Sequence, residues 1–400
     1  MIANDMIKKK IAVIFSGDYH EPRGIFNAVI NRIKYLVDLD FYDIDIYLVS
    51  SQSSWLVRRL RHTVKRNKEK IVWVDGLKIN ILWKSFTLVD YILQMYFNKL
   101  SLSERIFHKK INRLLKGYDL ISSHSTNTGS IALNAYIKYN VPYVVTWHGS
   151  DIHTLPKNNM EVFNVTKKII ENAAINFFVS QRLLQDSSYI TLKGNKTILY
   201  NGVDKTRFRQ FSLEEKCNAL KEFSISNECK NIAFVGNFFD VKNVLCLPEI
   251  FREICDRYND SVSFYFVGSG KLESQIQKKC QENHLETHFI HDVSPKRMPA
   301  LYNCMDLIIL PSKNEGLPLV CVEALACGTP MVASRVGGIS EVIGVENTFE
   351  LDGKFVEDIS IRCVQILNEN VVVCLPEQFD WRKTAKLESE ILGDILNKIV

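Results

Sequence analysis

Apolar residues in this chain gather in short unbroken runs, each followed by a polar turn and then by a stretch that is apolar at helical spacing. The runs 11–16 (IAVIFS), 45–49, 120–124, 142–146 and 175–180 form one series, and 231–235, 263–267, 288–290, 307–310 and 331–334 form a second. A continuous rather than alternating run marks a strand covered on both faces, and strands alternating with helices build parallel sheets. The first series opens with a strand, a turn over residues 17–24, a helix over 25–36 and a strand, the order of a Rossmann-like half. After Tyr200-Asn201-Gly202-Val203-Asp204, whose Asn-Gly pair signals a turn, the alternation restarts. The pattern predicts an α/β chain of two Rossmann-like domains, with a final amphipathic helix over 382–399.

The most informative stretch runs from Asp306 to Ile343. A strand over 307–310 meets a polar turn, then a helix that Pro318 opens at its first position and Gly328 with Pro330 closes, then a strand over 331–334 and a Gly337-Gly338 loop. That helix is apolar on every side except at Glu323, and a carboxylate in such a setting is costly unless hydrogen bonds or a ligand satisfy it. A second acid, Glu315, stands at the turn. The carboxyl end of a parallel strand is where open α/β sheets bind ligands, and the amides at a helix start favour an anion. A structural ion pair for Glu323 and a solvated loop acid for Glu315 are the plain alternatives.

Taken in order, Pro311-Ser312, Glu315-Gly316-Leu317, Glu323-Ala324-Leu325-Ala326, Gly328-Thr329-Pro330 and Gly337-Gly338 resemble the donor-binding signature of family 4 glycosyltransferases, retaining enzymes of GT-B fold. The resemblance implies two Rossmann-like domains facing across a cleft. The acceptor-side domain would be residues 1–203, with a terminal helix at 383–400 packing back on it, and the nucleotide-sugar domain residues 204–382. Glu315 would lie against hydroxyls of the donor sugar, Glu323 would bind the nucleotide ribose, and the amides of Gly316 and Leu317 would face the diphosphate. Lys242 matches the family's diphosphate-binding lysine, and His148, in Trp147-His148-Gly149-Ser150-Asp151, the histidine that faces the donor sugar. Gly24 matches a backbone approach to the diphosphate, Gly268 a nucleotide-side loop and Val293 a loop folded over the base. Two departures stand out: Asn237 where the family commonly carries an arginine, and Arg23 where it has the first glycine of a pair. Arg23 and Arg335 are candidates to supply the missing cation, and loss of activity is the other outcome.

Read from the residues alone, His148 with Asp151 and His153 could begin a metal set, but no further spatially defined ligand can be named. His124 reads as a structural histidine, with a site role as the alternative. No carboxylate is placed as a nucleophile, so double displacement by two close acids is not supported. The resemblance implies same-face substitution, assisted by oxygens of the departing phosphate. No cofactor beyond the nucleoside-diphosphate sugar and no metal is expected. A nucleotide-sugar epimerase of similar architecture, or a catalytically weak nucleotide-sugar-binding protein, are the alternatives.

Charge changes the picture for the first half. Net charge is +5 overall, but +12 over residues 1–205 and −7 over 206–400. A polyanionic partner for the first half follows, either an anionic membrane or a lipid-phosphate acceptor; nucleic acid is disfavoured because no binding signature accompanies the charge. Residues 52–70 mix Trp55, Leu56, Leu60 and Val64 with seven cations, the make-up of a membrane-surface helix, and residues 85–116 repeat the basic-apolar mixture. A surface helix with an ordinary solvated face is the alternative. No run approaches the roughly 20 apolar residues of a span, so membrane contact is expected to be peripheral. The apolar run at 11–16 is too short for a leader, and ten cysteines without a C-x-x-C pair suit reduced thiols in the cytosol. Surface-polysaccharide assembly on a glycan or lipid-linked acceptor, at the inner face of a bacterial membrane, is the setting that the resemblance implies.

Overall fold

The computed structural model describes residues 8–20, 24–61, 68–90, 92, 102–369 and 371–398. The chain divides into two compact units. One comprises residues 1–179, 184–199 and 382–400, and the other residues 180–183 and 200–381.

The sheet of the first unit contains β1 (Lys10–Ser16), β2 (Asp43–Ser53), β3 (Ile71–Val74), β4 (Leu77–Phe86), β5 (Leu120–His124), β6 (Tyr143–Trp147), β7 (Ile175–Phe178) and β8 (Lys196–Ile198), in the order β3-β4-β2-β1-β5-β6-β7-β8. All neighbours are parallel except β3, which returns antiparallel on β4 through Asp75-Gly76 and forms an edge. The strand expected to end at 49 continues to Ser53, because β4 pairs with it from Ile46↔Ile79 to Ser53↔Phe86. Helix Gly24–Asp38 packs Phe26, Val29, Ile30, Ile33 and Leu36 on this sheet. The C-terminal helix Trp381–Asn397 lays Ala385, Leu392 and Leu396 into the same core. A buried bidentate pair joins the two helices: Arg32 donates to both oxygens of Glu388 at 2.6 Å. Its remaining nitrogen donates to Thr146 on β6 at 2.8 Å, so the ion pair is hydrogen-bonded rather than bare, as a buried charge requires.

The second unit holds β9 (Lys230–Val235), β10 (Val262–Val267), β11 (Thr287–Ile290), β12 (Leu307–Leu310), β13 (Met331–Ser334) and β14 (Thr348–Phe349), ordered β11-β10-β9-β12-β13-β14 and wholly parallel. In sequence terms that is 3-2-1-4-5-6, the doubly wound arrangement, whose order reverses between β9 and β12. In the first unit the same reversal falls between β1 and β5. Ligand sites in such sheets lie at the carboxyl ends of the two strands flanking the reversal, and this is what positions the candidate residues.

Of the basic stretch 52–70, the helix is described over Trp55–Arg61, and Val64 lies outside the described residues. Val57 is buried while Trp55 and Leu56 are exposed. Arg23, residues 62–67 and residues 91 and 93–101 of the second basic stretch also lie outside the described residues.

Candidate functional site

In the second unit, the turns after β9 and β12 meet. The chain leaves β9 through Gly236 at φ +154° and seats Phe238, fully buried, under the neighbouring turn after β10. A Cβ on Gly268 would stand 2.1 Å from the Gly236 carbonyl oxygen, and one on Gly270 would stand 2.6 Å from that of Phe238. Both glycines are thus required by close backbone approach, and the loop at Gly268 braces the one at Gly236. A short 3₁₀ turn, Asp240–Lys242, then places Lys242 against the turn after β12, where the Lys313 amide donates to the Val241 carbonyl. There Lys242 Nζ lies 2.5 Å from Glu315 Oε1, both side chains largely shielded at 22% and 12% exposure. Two residues 73 positions apart, each singled out in the sequence, form one ion pair at the sheet reversal.

The Glu315–Leu317 turn is itself held from behind. The Gly338 amide donates to the Gly316 carbonyl, and Asn201 Nδ2 donates to that of Leu317 at 3.1 Å. A Cβ on Gly337 would sit 2.1 Å from the Glu315 carbonyl oxygen, which explains the Gly-Gly pair. These carbonyls face the scaffold. Among the described residues the amides of Gly316 and Leu317 have no hydrogen-bond acceptor, and the helix that follows begins with further unpaired N–H groups. Such a row of donors suits an anion. Pro318 is the cap preceding this helix (Leu319–Ala326) rather than its first residue, because its ψ of 131° is extended.

The helix is not buried on every side. Leu319, Val320, Glu323 and Ala326, spaced by three and four, form a partly open stripe. On it Glu323 Oε2 accepts the Tyr302 hydroxyl at 2.8 Å, and desolvation raises its pKa. Asn237 is exposed beside the β9 turn, and Val293 is half-buried on the loop after β11, where His291 meets Glu273 at 3.0 Å. Arg335 is no substitute cation. Its guanidinium donates to the Thr348 and Val345 carbonyls and to the Thr348 hydroxyl, and those donors hold it on the β13–β14 edge.

In the first unit, His148 follows β6. Gly149, at φ +140°, turns the chain so that the buried Asp151 carboxylate accepts the amides of both His148 and Gly149. Asp151 is therefore the cap of this turn, and His153 pairs instead with Asp186 at 3.1 Å. His124 is buried at the end of β5, where its amide donates to the Thr128 hydroxyl at 3.0 Å. Its ring stacks on His148 at 5.3 Å, with Nδ1 3.0 Å from His148 Nε2. Desolvation, aided by Arg32, holds His148 down to about 3 and His124 well below its ordinary value, so both rings are neutral near pH 7. Gly24 lies at the first turn of its helix, with nothing within 4 Å of where a Cβ would be. It borders a cavity of about 720 Å³ at the carboxyl ends of β1, β2 and β4, lined by Ser16, Ser51, Lys84, His108 and Asn127 among others. Sequence reasoning missed Tyr302, Arg32 and this cavity. Nothing in a local pattern links Tyr302 to Glu323, since the pairing is made by two helices meeting.

Both units are doubly wound, with an ion pair and free amides at the sheet reversal of the second and a neutral histidine pair beside that of the first. Residues 218–386 match the model of glycosyl transferases group 1, and residues 88–207 that of glycosyltransferase family 4. The chain belongs to these family 4, group 1 glycosyltransferases and has the GT-B fold. TuaC of Bacillus subtilis, whose name assigns it to teichuronic acid biosynthesis, is 30% identical over 230 residues, covering 56% of this chain and 55% of that one. N-acetyl-alpha-D-glucosaminyl L-malate synthase of Bacillus anthracis is 30% identical over 205 residues, 51% of this chain and 52% of that one. The chain thus spans a little over half the length of these relatives. Among solved structures, sucrose-phosphate synthase of Thermosynechococcus elongatus superposes with a TM-score of 0.77 at 16% identity, covering 98% and 100% of the two chains. HepE of Anabaena in complex with UDP-glucose gives 0.70 at 16%, covering 96% and 99%. At such identities the likeness is one of fold.

Proposed function

We propose that the chain is a retaining glycosyltransferase that moves a sugar from a nucleoside-diphosphate sugar to a glycan or lipid-linked acceptor in polysaccharide assembly. The observation that carries this reading is the Lys242–Glu315 pair at the reversal of the second sheet, beside unpaired amides at Gly316 and Leu317. In this reading the diphosphate takes Lys242 and the amides, Glu315 turns to the hydroxyls of the sugar, and Glu323 takes the ribose. Stabilisation of the departing diphosphate is electrostatic, and it strengthens as the glycosidic bond breaks. His148, neutral because it is desolvated, contributes a hydrogen bond to the sugar, and the cavity beside Gly24 receives the acceptor. Positive charge comes from Lys242 and the backbone, so transfer is proposed to need no metal.

UDP-sugars are the first donors to try. HepE is crystallised with UDP-glucose, and an Escherichia coli relative, 26% identical over 254 residues, is named as a UDP-Gal-dependent galactosyltransferase acting on a diphosphoundecaprenol-linked acceptor. The test is transfer from UDP-, GDP- and ADP-sugars to glycan and polyprenyl-diphosphate acceptors, with the anomeric configuration of the product read by NMR and EDTA present in a parallel series. Lys242→Ala is expected to lower kcat by more than about tenfold. An inverted product, or a wild-type rate from the alanine variant, would overturn the reading.

A further inference from the structure

One oxygen of the Glu323 carboxylate is already engaged. Oε2 accepts the hydroxyl of Tyr302, while among the described residues Oε1 has no hydrogen-bond donor. Tyr302 is fully buried, its ring lies on Phe208 with centroids 6.2 Å apart, and its own carbonyl accepts the Thr329 hydroxyl at 2.7 Å. Its helix, Met298–Asn303, is pinned in turn by Asn303, which accepts the Phe211 amide and donates to the Arg209 carbonyl. Burial, with the Glu323 charge beside it, pushes the Tyr302 hydroxyl well above 10, so it stays a donor across the working range of pH. The last torsion of a glutamate is otherwise broad and roughly two-fold. A donor on a fixed ring therefore sets the plane of the carboxylate, as supporting hydrogen bonds do for the groups that touch a ligand.

We propose that Tyr302 is a positioning residue for nucleotide recognition: its hydroxyl fixes the Glu323 carboxylate so that Oε1 accepts a hydroxyl of the ribose in a nucleoside diphosphate. This rests on Glu323 as the ribose-binding group of the function proposed above. Losing the hydroxyl should leave the charge in place but let it swing, so the variant should lose discrimination between ribose and deoxyribose rather than phosphate binding.

The experiment is calorimetric titration with whichever of UDP, GDP and ADP binds most tightly, and with its 2′-deoxy and 3′-deoxy counterparts. A hydrogen bond to a charged group makes the wild type prefer the ribose form over one of the deoxy forms by about tenfold or more. Tyr302→Phe should shrink that ratio to about twofold, while Phe208→Leu, which disturbs the packing and spares the hydroxyl, should keep it. A wild type that does not discriminate sinks the ribose role of Glu323 itself. A discriminating wild type matched by Tyr302→Phe sinks the positioning role alone. Should Tyr302→Phe fail to fold, 3-fluorotyrosine at position 302 replaces it; its more acidic hydroxyl should raise the ratio, and an unchanged ratio counts against the proposal.

Discussion

At the scale of single residues, the proposed function gives the Lys242–Glu315 pair two jobs that conflict. The carboxylate satisfies the ammonium in the structure, and a donor binding as proposed would put a phosphate in its place. Breaking a shielded ion pair costs the attraction it holds, and that cost is set against nucleotide binding. Glu315→Gln removes the competitor for Lys242 and keeps the shape of the side chain. It should therefore leave the affinity for nucleoside diphosphate unchanged or raise it a few-fold, while lowering transfer by more than about tenfold, because the charged acceptor for the sugar hydroxyls becomes a weaker, neutral one. Calorimetry with the diphosphate and initial rates with the full donor read the two effects separately. A diphosphate affinity that falls along with the rate would mean that Glu315 merely holds the turn in shape.

At the scale of elements, the strands were legible where burial on both faces forces an unbroken apolar run, as at 11–16 and 307–310. The edge strand β3 was not: Ile71-Val72-Trp73-Val74 is as unbroken as 307–310, but it turns Ile71 and Trp73 to solvent, so its apolar run does not record burial on both faces. Turns were legible where backbone crowding demands glycine, at Gly268 and Gly337, and Lys242 and Glu315 could be singled out because each stands in the turn after a strand of the series, β9 and β12. Tyr302 and Arg32 act through partners on other elements, and no local spacing encodes such meetings. The turn after β6 shows what a fold can add. Burial pushes Asp151 up to about 6 from 3.8, so the stability it contributes is full below pH 3.8 and lost as pH rises through 6. His124 and His148 act in the opposite sense: lowered from 6.5, they contribute fully above that pH and lose the contribution as pH falls. Between pH 4 and 6 the lowered His148 and the raised Asp151 therefore pull stability in opposite directions. Asp151→Asn deletes the falling part, so the slope of urea-unfolding stability against pH should become more positive by up to about 1.4 kcal/mol per unit. A slope that becomes more negative would contradict the burial argument.

At the scale of the whole molecule, the +12 and −7 halves point their attraction for anions at the first unit. Its β3-β4-β2 edge adds apolar area. Trp73 is 70% exposed on β3 and Trp55 62% on the helix that follows β2, with the Arg59 guanidinium 5.9 Å from the Trp55 ring. An antiparallel edge strand that turns an isoleucine and a tryptophan outward is uncommon on a surface meant only for water. Cations around exposed tryptophans match the headgroup region of an anionic bilayer, where indole rings settle and basic side chains meet phosphate. No helix among the described residues is long and apolar enough to cross a membrane, so the contact would be peripheral. Vesicles of phosphatidylglycerol with phosphatidylcholine should sediment with the protein at low salt and release it as salt rises, whereas phosphatidylcholine alone should not retain it. Burying one large apolar side chain is worth about 1.5–3 kcal/mol, so Trp55→Ala with Trp73→Ala should weaken partitioning by at least about tenfold. The net charge stays the same in that variant, so a loss of binding would show that the rings insert. Binding that survives it but still falls with salt would reduce the contact to electrostatics, and no binding by the wild type would turn the basic half toward a soluble anionic acceptor.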